Sequence, residues 1–188
     1  NYSKTEVSMT TKIGDLVPNV NILFREGDKR PEQGTCPIGG EFVAKSTREL
    51  FAGKRVIIFS LPGAYTPTCS TYQLPGFDEK YQTFQDNGID EIYVVSVNDA
   101  FVMNAWAEDC GIKNVRVIPD GNGEFTKAMG MDVSKNNLGF GSRSWRYAAV
   151  INDCKVEHIF EEPGKSDNYE DDPYGETSPE NVLAFLQS

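Results

Sequence analysis

The sequence predicts an α/β fold: a central mixed β-sheet flanked by helices, with an N-terminal β extension. Three observations carry this. Continuous apolar runs of strand length at 56–61 and 91–97, and a shorter one at 115–118, fit strands covered on both faces. The segments between them carry helical spacing with stop signals, which puts helices on the sheet faces. Two further apolar stretches, 147–151 and 156–160, flank Asn152-Asp153-Cys154-Lys155 and read as a hairpin. A length of 188 residues fits one domain, expected over 12–188. Residues 1–11 are expected to be a tail, with Met9 a candidate start and the residues before it leader or vector.

Taken in order, residues 12–55 are rich in glycine and proline, so Ile13, Leu16, Val17, Val20, Ile22, Leu23 and Phe24 should form short, partly buried strands. A helical turn follows at 47–51 before Gly53. Phe77, Tyr81 and Phe84 stand at i, i+4 and i+7 of one helix that stops at Asn87-Gly88. Asn98 or Asp99 caps a helix that buries Phe101, Val102, Ala105 and Trp106 and ends at Gly111. A short helix is expected over 125–131 after Asp120-Gly121-Asn122-Gly123. The last helix opens with Ser178-Pro179-Glu180, a cap, a proline in the first turn and an acid beside it. Its buried face is Val182, Leu183, Phe185 and Leu186. The stretch 161–176 has seven acidic residues against Lys165, with two prolines and two glycines, and reads as a long solvated loop.

Composition narrows the chemistry. A net charge of −10 disfavours nucleic acid and anionic membranes as partners, since both need a basic face. No apolar run approaches the roughly 20 residues that span a bilayer. One histidine, His158, excludes a multi-histidine metal site, and on a hairpin strand it reads as structural. The Asp120-Gly121-Asn122-Gly123-Glu124 turn lacks the ligand pattern of a calcium loop. No metal is expected. The four cysteines, Cys36, Cys69, Cys110 and Cys154, are too sparse for a disulfide scaffold and too far apart for a zinc knuckle or a dithiol motif. Four reduced thiols in a reducing compartment are expected, and with them a cytoplasmic location.

One cysteine differs from the rest. After the first central strand, Thr66 is a natural N-cap, Pro67 suits the first helical position and Cys69 falls in the first turn. Unpaired backbone N–H groups and the positive end of the helix dipole favour the thiolate there, and the thiolate is the reactive form. The same strand-to-helix edge is where open α/β sheets hold their sites.

Pro62, Thr66 and Cys69 match the Pro-x-x-x-Thr-x-x-Cys signature of peroxiredoxins, and Ser70 and Leu74-Pro75-Gly76 extend the match. So do 97–103, Pro119-Asp120-Gly121, Gly139-Phe140-Gly141 and 143–147, and the chain resembles the peroxiredoxin five subfamily from about Ile13 to its C-terminus. The resemblance implies a thioredoxin-like fold and reduction of hydrogen peroxide and small alkyl hydroperoxides by a peroxidatic cysteine, Cys69, without metal or organic cofactor. Arg146 falls at the place of the family's site arginine, and Arg143, expected in a loop, would support it. Arg146 and the helix start lower the Cys69 pKa without a histidine base. Thr66, Arg146 and backbone N–H groups near Ala64 and Cys69 would hold the two peroxide oxygens, with Pro62 walling the thiolate from water. Gly63, Ala64, Tyr65, Gln73 and Phe140 are expected around the substrate.

The chain departs from the family at two places. Gln73 stands where many members have histidine, so that position cannot titrate. The stretch 163–179, where some members keep a resolving cysteine, has none, nor does the region shortly after Cys69. A one-cysteine cycle is therefore expected, with glutathione and a separate glutaredoxin, or thioredoxin, as reductant. Cys110 or Cys36 resolving Cys69 is the other possibility. Subfamily dimers imply a homodimer with Tyr65, Phe101 and Trp145 at the interface. Two rival readings remain open: a peroxide sensor or holdase chaperone using the same cysteine, with 161–176 as a docking surface, and a structural module with an inert Cys69.

Overall fold

The computed structural model describes residues 10–32 and 34–188, Cys69 by its backbone alone. Its elements are β1 (Asn21–Glu26), β2 (Glu41–Ser46), α1 (Thr47–Phe51), β3 (Arg55–Ser60), a π-helical turn (Cys69–Gln73), α2 (Leu74–Glu79), α3 (Tyr81–Asp86), β4 (Glu91–Ser96), α4 (Ala100–Asp109), β5 (Arg116–Pro119), α5 (Glu124–Ala128), β6 (Asp132–Ser134), β7 (Ser142–Ser144), β8 (Tyr147–Asn152), β9 (Lys155–Glu161) and α6 (Pro179–Gln187).

The central sheet runs β5-β4-β3-β8-β9, with β3, β4 and β5 parallel and β8 and β9 antiparallel to their neighbours. This is the mixed sheet the apolar runs predict. Side chains alternate across it, so Ile57 and Phe59 face one layer while Val56 and Ile58 face the other. The first layer packs on Phe77, Phe84, Met103, Trp106 and Val182 from α2, α3, α4 and α6. There Phe59 stacks on Phe77 with centroids 4.3 Å apart, and Phe77 on Phe84 at 5.6 Å. The second layer packs on Phe51 of α1 and on Phe125 and Met129 around α5. The expected N-terminal extension is the antiparallel pair β1-β2, which takes up Ile22, Leu23 and Phe24, whereas Ile13, Leu16, Val17 and Val20 precede it and lie in neither strand. The β8-β9 hairpin turns through Asp153 and Cys154, both at positive φ (46° and 68°), as a two-residue turn between twisted strands requires.

Several expectations change. The helix over Phe77, Tyr81 and Phe84 is two helices, because Lys80 (φ −91°, ψ 6°) leaves helical geometry. Asp99, accepting from the Val102 N–H at 3.0 Å, caps α4 and sets its rotation. The buried face is then Ala100, Met103 and Trp106, while Phe101 is exposed. The Phe101 ring instead covers the Arg25 guanidinium at 4.7 Å, which also lies over Phe42 at 4.6 Å. Arg143 is not in a loop: it pairs with Val133 in the short β6-β7 ribbon, too brief to show as an apolar pattern. The expected tail, 1–11, lies outside the described residues up to position 9; Thr11 donates to the Ala128 carbonyl at 3.1 Å.

Candidate active site

The site is built where β3 ends. Leu61, Pro62 and Gly63 are buried beyond its last residue. Arg143 spans this stretch, donating from Nη1 to the Pro62 carbonyl at 3.1 Å and from Nε to the Phe140 carbonyl at 3.2 Å. A Cβ at Gly63 would stand 2.5 Å from Arg143 Nη1, so a side chain there would have to displace the guanidinium. The Thr66 hydroxyl donates to the Gly63 carbonyl at 2.8 Å. Helical geometry begins at 67, with Pro67 as its first residue, and Ser70 donates from its N–H to the Thr66 carbonyl at 3.0 Å. The helix then widens into the π turn Cys69–Gln73 before α2.

Gln73, the last residue of that turn, is fully buried. Its Oε1 accepts from Arg146 Nη1, and its Nε2 donates to Thr177 Oγ1 at 3.2 Å. The residue in the family's histidine position thus bridges the arginine to the segment before α6. Trp106 Nε1 donates to Ser70 Oγ at 2.9 Å, fixing the same turn from α4.

Arg146 enters from the residue before β8 and is 1% exposed. A buried guanidinium needs partners. Besides Gln73, its Nη2 donates to both carboxylate oxygens of Asp172 at 2.9 Å, and the Tyr174 ring lies 5.8 Å from its centre. Both come from the acidic stretch, which is therefore not simply a solvated loop. Glu162 makes the same point. It is 1% exposed, and its carboxylate accepts from the N–H groups of Gly175 (2.8 Å), Glu176 (2.7 Å) and Thr177 (3.3 Å) and from the Thr177 hydroxyl at 3.2 Å. A continuous polar chain runs Glu162, Thr177, Gln73, Arg146, Asp172. Glu162 and Asp172 escaped sequence reasoning because acids in a charge run look solvated, and Thr177 because nothing local marks a threonine whose partner is distant in sequence.

Other expected residues lie close by with different tasks. The Ala64 N–H is taken by Asn98 Oδ1 at 3.0 Å, so it is not open to a peroxide oxygen. Tyr65, at φ 65°, turns its hydroxyl to Asp109 at 2.6 Å. Burial and that carboxylate push its pKa up to about 12. Phe140 is half-buried, its ring 5.0 Å from the Arg143 guanidinium. Trp145 cannot serve an interface: it is 2% exposed and donates its indole N–H to the Glu162 carbonyl. His158 stacks on Phe185 with centroids 4.4 Å apart. Cys36 is exposed on the N-terminal excursion, Cys110 caps the end of α4, and Cys154 is buried in the hairpin. Burial, aided by the neighbouring aspartates, pushes the Cys110 and Cys154 thiols up. Among the described residues no cluster could hold a metal ion.

The Redoxin family model matches residues 12–175. A peroxiredoxin of Rhizobium etli is 63% identical over 144 residues, covering 77% of this chain and 80% of its own. A hybrid peroxiredoxin of Haemophilus influenzae is 47% identical over 95% of this chain and 67% of its own. Among solved structures, the Plasmodium falciparum antioxidant protein, a 1-Cys peroxiredoxin, superposes with a TM-score of 0.84 at 35% identity, over 94% of this chain and 99% of that one. A reduced peroxiredoxin of Vibrio vulnificus in complex with hydrogen peroxide gives 0.79 at 34% identity, over 95% and 97%. With its thioredoxin-like mixed sheet, its Pro-x-x-x-Thr-x-x-Cys turn and these relatives, the chain belongs to the Redoxin family as a peroxiredoxin of the peroxiredoxin five type, a thiol peroxidase.

Proposed function

We propose that Cys69 is the peroxidatic nucleophile, that Arg146, Thr66 and Pro62 form its reacting environment, and that the enzyme runs a one-cysteine cycle on hydrogen peroxide and small alkyl hydroperoxides. The observation that carries the reading is the buried bridge from Arg146 through Gln73 to the helical turn that contains Cys69. A guanidinium held by the turn that carries Cys69 adds its charge to that of the free N–H groups at the helix start, and both stabilise a thiolate.

The thiolate sulfur of Cys69 attacks one peroxide oxygen. An S–O bond forms, the O–O bond breaks, and the second oxygen leaves as hydroxide or alkoxide and takes a proton to become water or alcohol. The sulfur loses two electrons to the peroxide and becomes a sulfenic acid. Arg146 stabilises the charge on the leaving oxygen. The Thr66 hydroxyl, which donates to Gly63, keeps lone pairs to accept a hydrogen bond from the protonated peroxide oxygen. Glutathione then attacks the sulfenic sulfur, releasing water and leaving a mixed disulfide. A second thiol, delivered by glutaredoxin, takes the glutathionyl group and restores Cys69.

The raised Cys110 and Cys154 thiols support this cycle, because a thiol kept protonated is a poor resolving nucleophile. A cytoplasmic setting suits a cycle that depends on reduced glutathione. The exposed Phe42 and Phe101 rings, 5.8 Å apart, and the exposed Tyr65 suit a homodimer; sedimentation showing only monomer at micromolar concentration would remove that part. The decisive test is peroxide consumption by wild type and Cys69→Ser, with glutathione plus glutaredoxin and with thioredoxin supplied separately. Activity surviving Cys69→Ser overturns the assignment. A Cys69–Cys110 or Cys69–Cys36 disulfide in peroxide-treated protein, seen by mass spectrometry, overturns the one-cysteine cycle.

A further inference from the structure

We infer that Asp172, carried by the acidic loop before α6, is a positioning residue for peroxide reduction: it sets the plane of the Arg146 guanidinium. The inference rests on the assignment of Arg146 to the reacting site made above.

The geometry is specific. The two terminal nitrogens of Arg146 are held from different segments, Nη1 by Gln73 and Nη2 by both oxygens of Asp172. A planar fork fixed at two of its nitrogens can neither rotate about its own axis nor tilt. The loop that carries Asp172 is itself clamped, since Glu162 binds the backbone of Gly175, Glu176 and Thr177 just beyond it. Tyr174 places its ring by the guanidinium between these two anchors.

The chemistry argues against two simpler roles. As a charge alone, Asp172 works against the site, because an anion beside Arg146 weakens the field that stabilises a thiolate. As a surface ion pair it would be worth little, but its partner is 1% exposed while Asp172 is partly open to solvent. The pair therefore joins a buried, functional cation to an exposed loop. What it supplies is orientation. Misplacing a transition-state donor by about an ångström can cost up to about a hundredfold in rate.

The test compares Asp172→Asn, Asp172→Glu, Arg146→Gln and the Arg146→Gln/Asp172→Asn double variant in the full chain. The rate constant for Cys69 oxidation by hydrogen peroxide is measured at neutral and at alkaline pH, with melting temperatures alongside. Asp172→Asn should lose roughly tenfold or more in that rate. The loss should persist at alkaline pH, where the thiol is fully ionised, and Asp172→Glu should recover part of it. The double variant should be no slower than Arg146→Gln alone, since Asp172 acts only through Arg146. An Asp172→Asn rate within twofold of wild type overturns the inference, as does a loss that vanishes at alkaline pH, a loss equal in Asp172→Glu, or losses that multiply in the double variant. If Arg146→Gln is itself as fast as wild type, the assignment of the reacting site falls together with this inference; an impaired Arg146→Gln beside an unaffected Asp172→Asn removes this inference alone.

Discussion

Arg143 and Gly63 share one space: the guanidinium that binds the Pro62 carbonyl at 3.1 Å occupies the volume a side chain at 63 would fill. Gly63→Ala must push Arg143 off that carbonyl. An overpacked site of this kind costs about 1–3 kcal/mol, read as a lower melting temperature and slower peroxide reduction. Arg143→Ala leaves the Pro62 and Phe140 carbonyls short of a donor and should cost a similar amount. The two together should cost less than their sum, because either one already breaks the same contact.

Replacing Gln73 by histidine should introduce a pH limb that the wild type lacks. Neutral imidazole can accept from Arg146, but imidazolium beside that cation is disfavoured, so its pKa falls below the usual value of about 6.5. Peroxidase activity of Gln73→His should therefore decline as pH drops through roughly 6 while that of wild type does not share the step. Gln73→Leu, which removes a partner from both Arg146 and Thr177 in a buried site, should lower stability by about 1–3 kcal/mol at every pH.

Glu162 anchors the acidic stretch through three backbone N–H groups and one hydroxyl. Glu162→Ala should cost about 3 kcal/mol or more, since hydrogen bonds to a charged group are worth roughly 1.5–3 kcal/mol each. Glu162→Gln, able to keep only some of them, should fall between. Thermal melts measure the loss. Faster cleavage within 161–176 by a glutamyl endopeptidase would show the anchor is gone, and unchanged cleavage would contradict its role.

Cys110 and Cys154 should alkylate slowly at neutral pH, because both thiols are pushed up and stay protonated. Labelling of Cys110 should climb about tenfold per pH unit past the point where a free thiol of pKa about 8.5 has levelled off. Cys154 should lag further, being buried and donating its S–H to the Arg48 carbonyl at 3.4 Å. Peptide mass spectrometry after timed iodoacetamide treatment resolves the two. A plateau for Cys110 below that of the free thiol would be the contrary result.

The central sheet was legible because burial on both faces writes unbroken apolar runs, as at 56–61 and 91–97. The Cys69 turn was legible through Thr66 and Pro67, whose preferences are local. The β6-β7 ribbon was not, because three-residue strands carry no period. The facing of α4 was missed because the Asp99 cap and the Arg25 stack outweigh the apolar character of Phe101. Asp172 and Glu162 were invisible for a different reason. Their partners lie 26 residues away in the case of Asp172 and on the far side of a loop for Glu162, and nothing in an acidic run says which carboxylate turns inward.

The π turn has a consequence in angular phase. An α-helix advances about 100° per residue, and a π turn accommodates one extra residue before the helix resumes. Cys69 and Gln73 open and close that wider turn, so it is the widening, which absorbs the extra residue, that keeps Gln73 facing as it does. Were the segment to close as ordinary α-helix with every residue kept, Gln73 would swing by up to about 100° away from Arg146, whereas deleting one exposed residue inside it, Thr71 or Tyr72, would close the turn and leave Gln73 in phase. The thread from the cysteine turn to the arginine and on to the acidic loop thus hangs on that turn staying wide, a property of the backbone path rather than of any side chain.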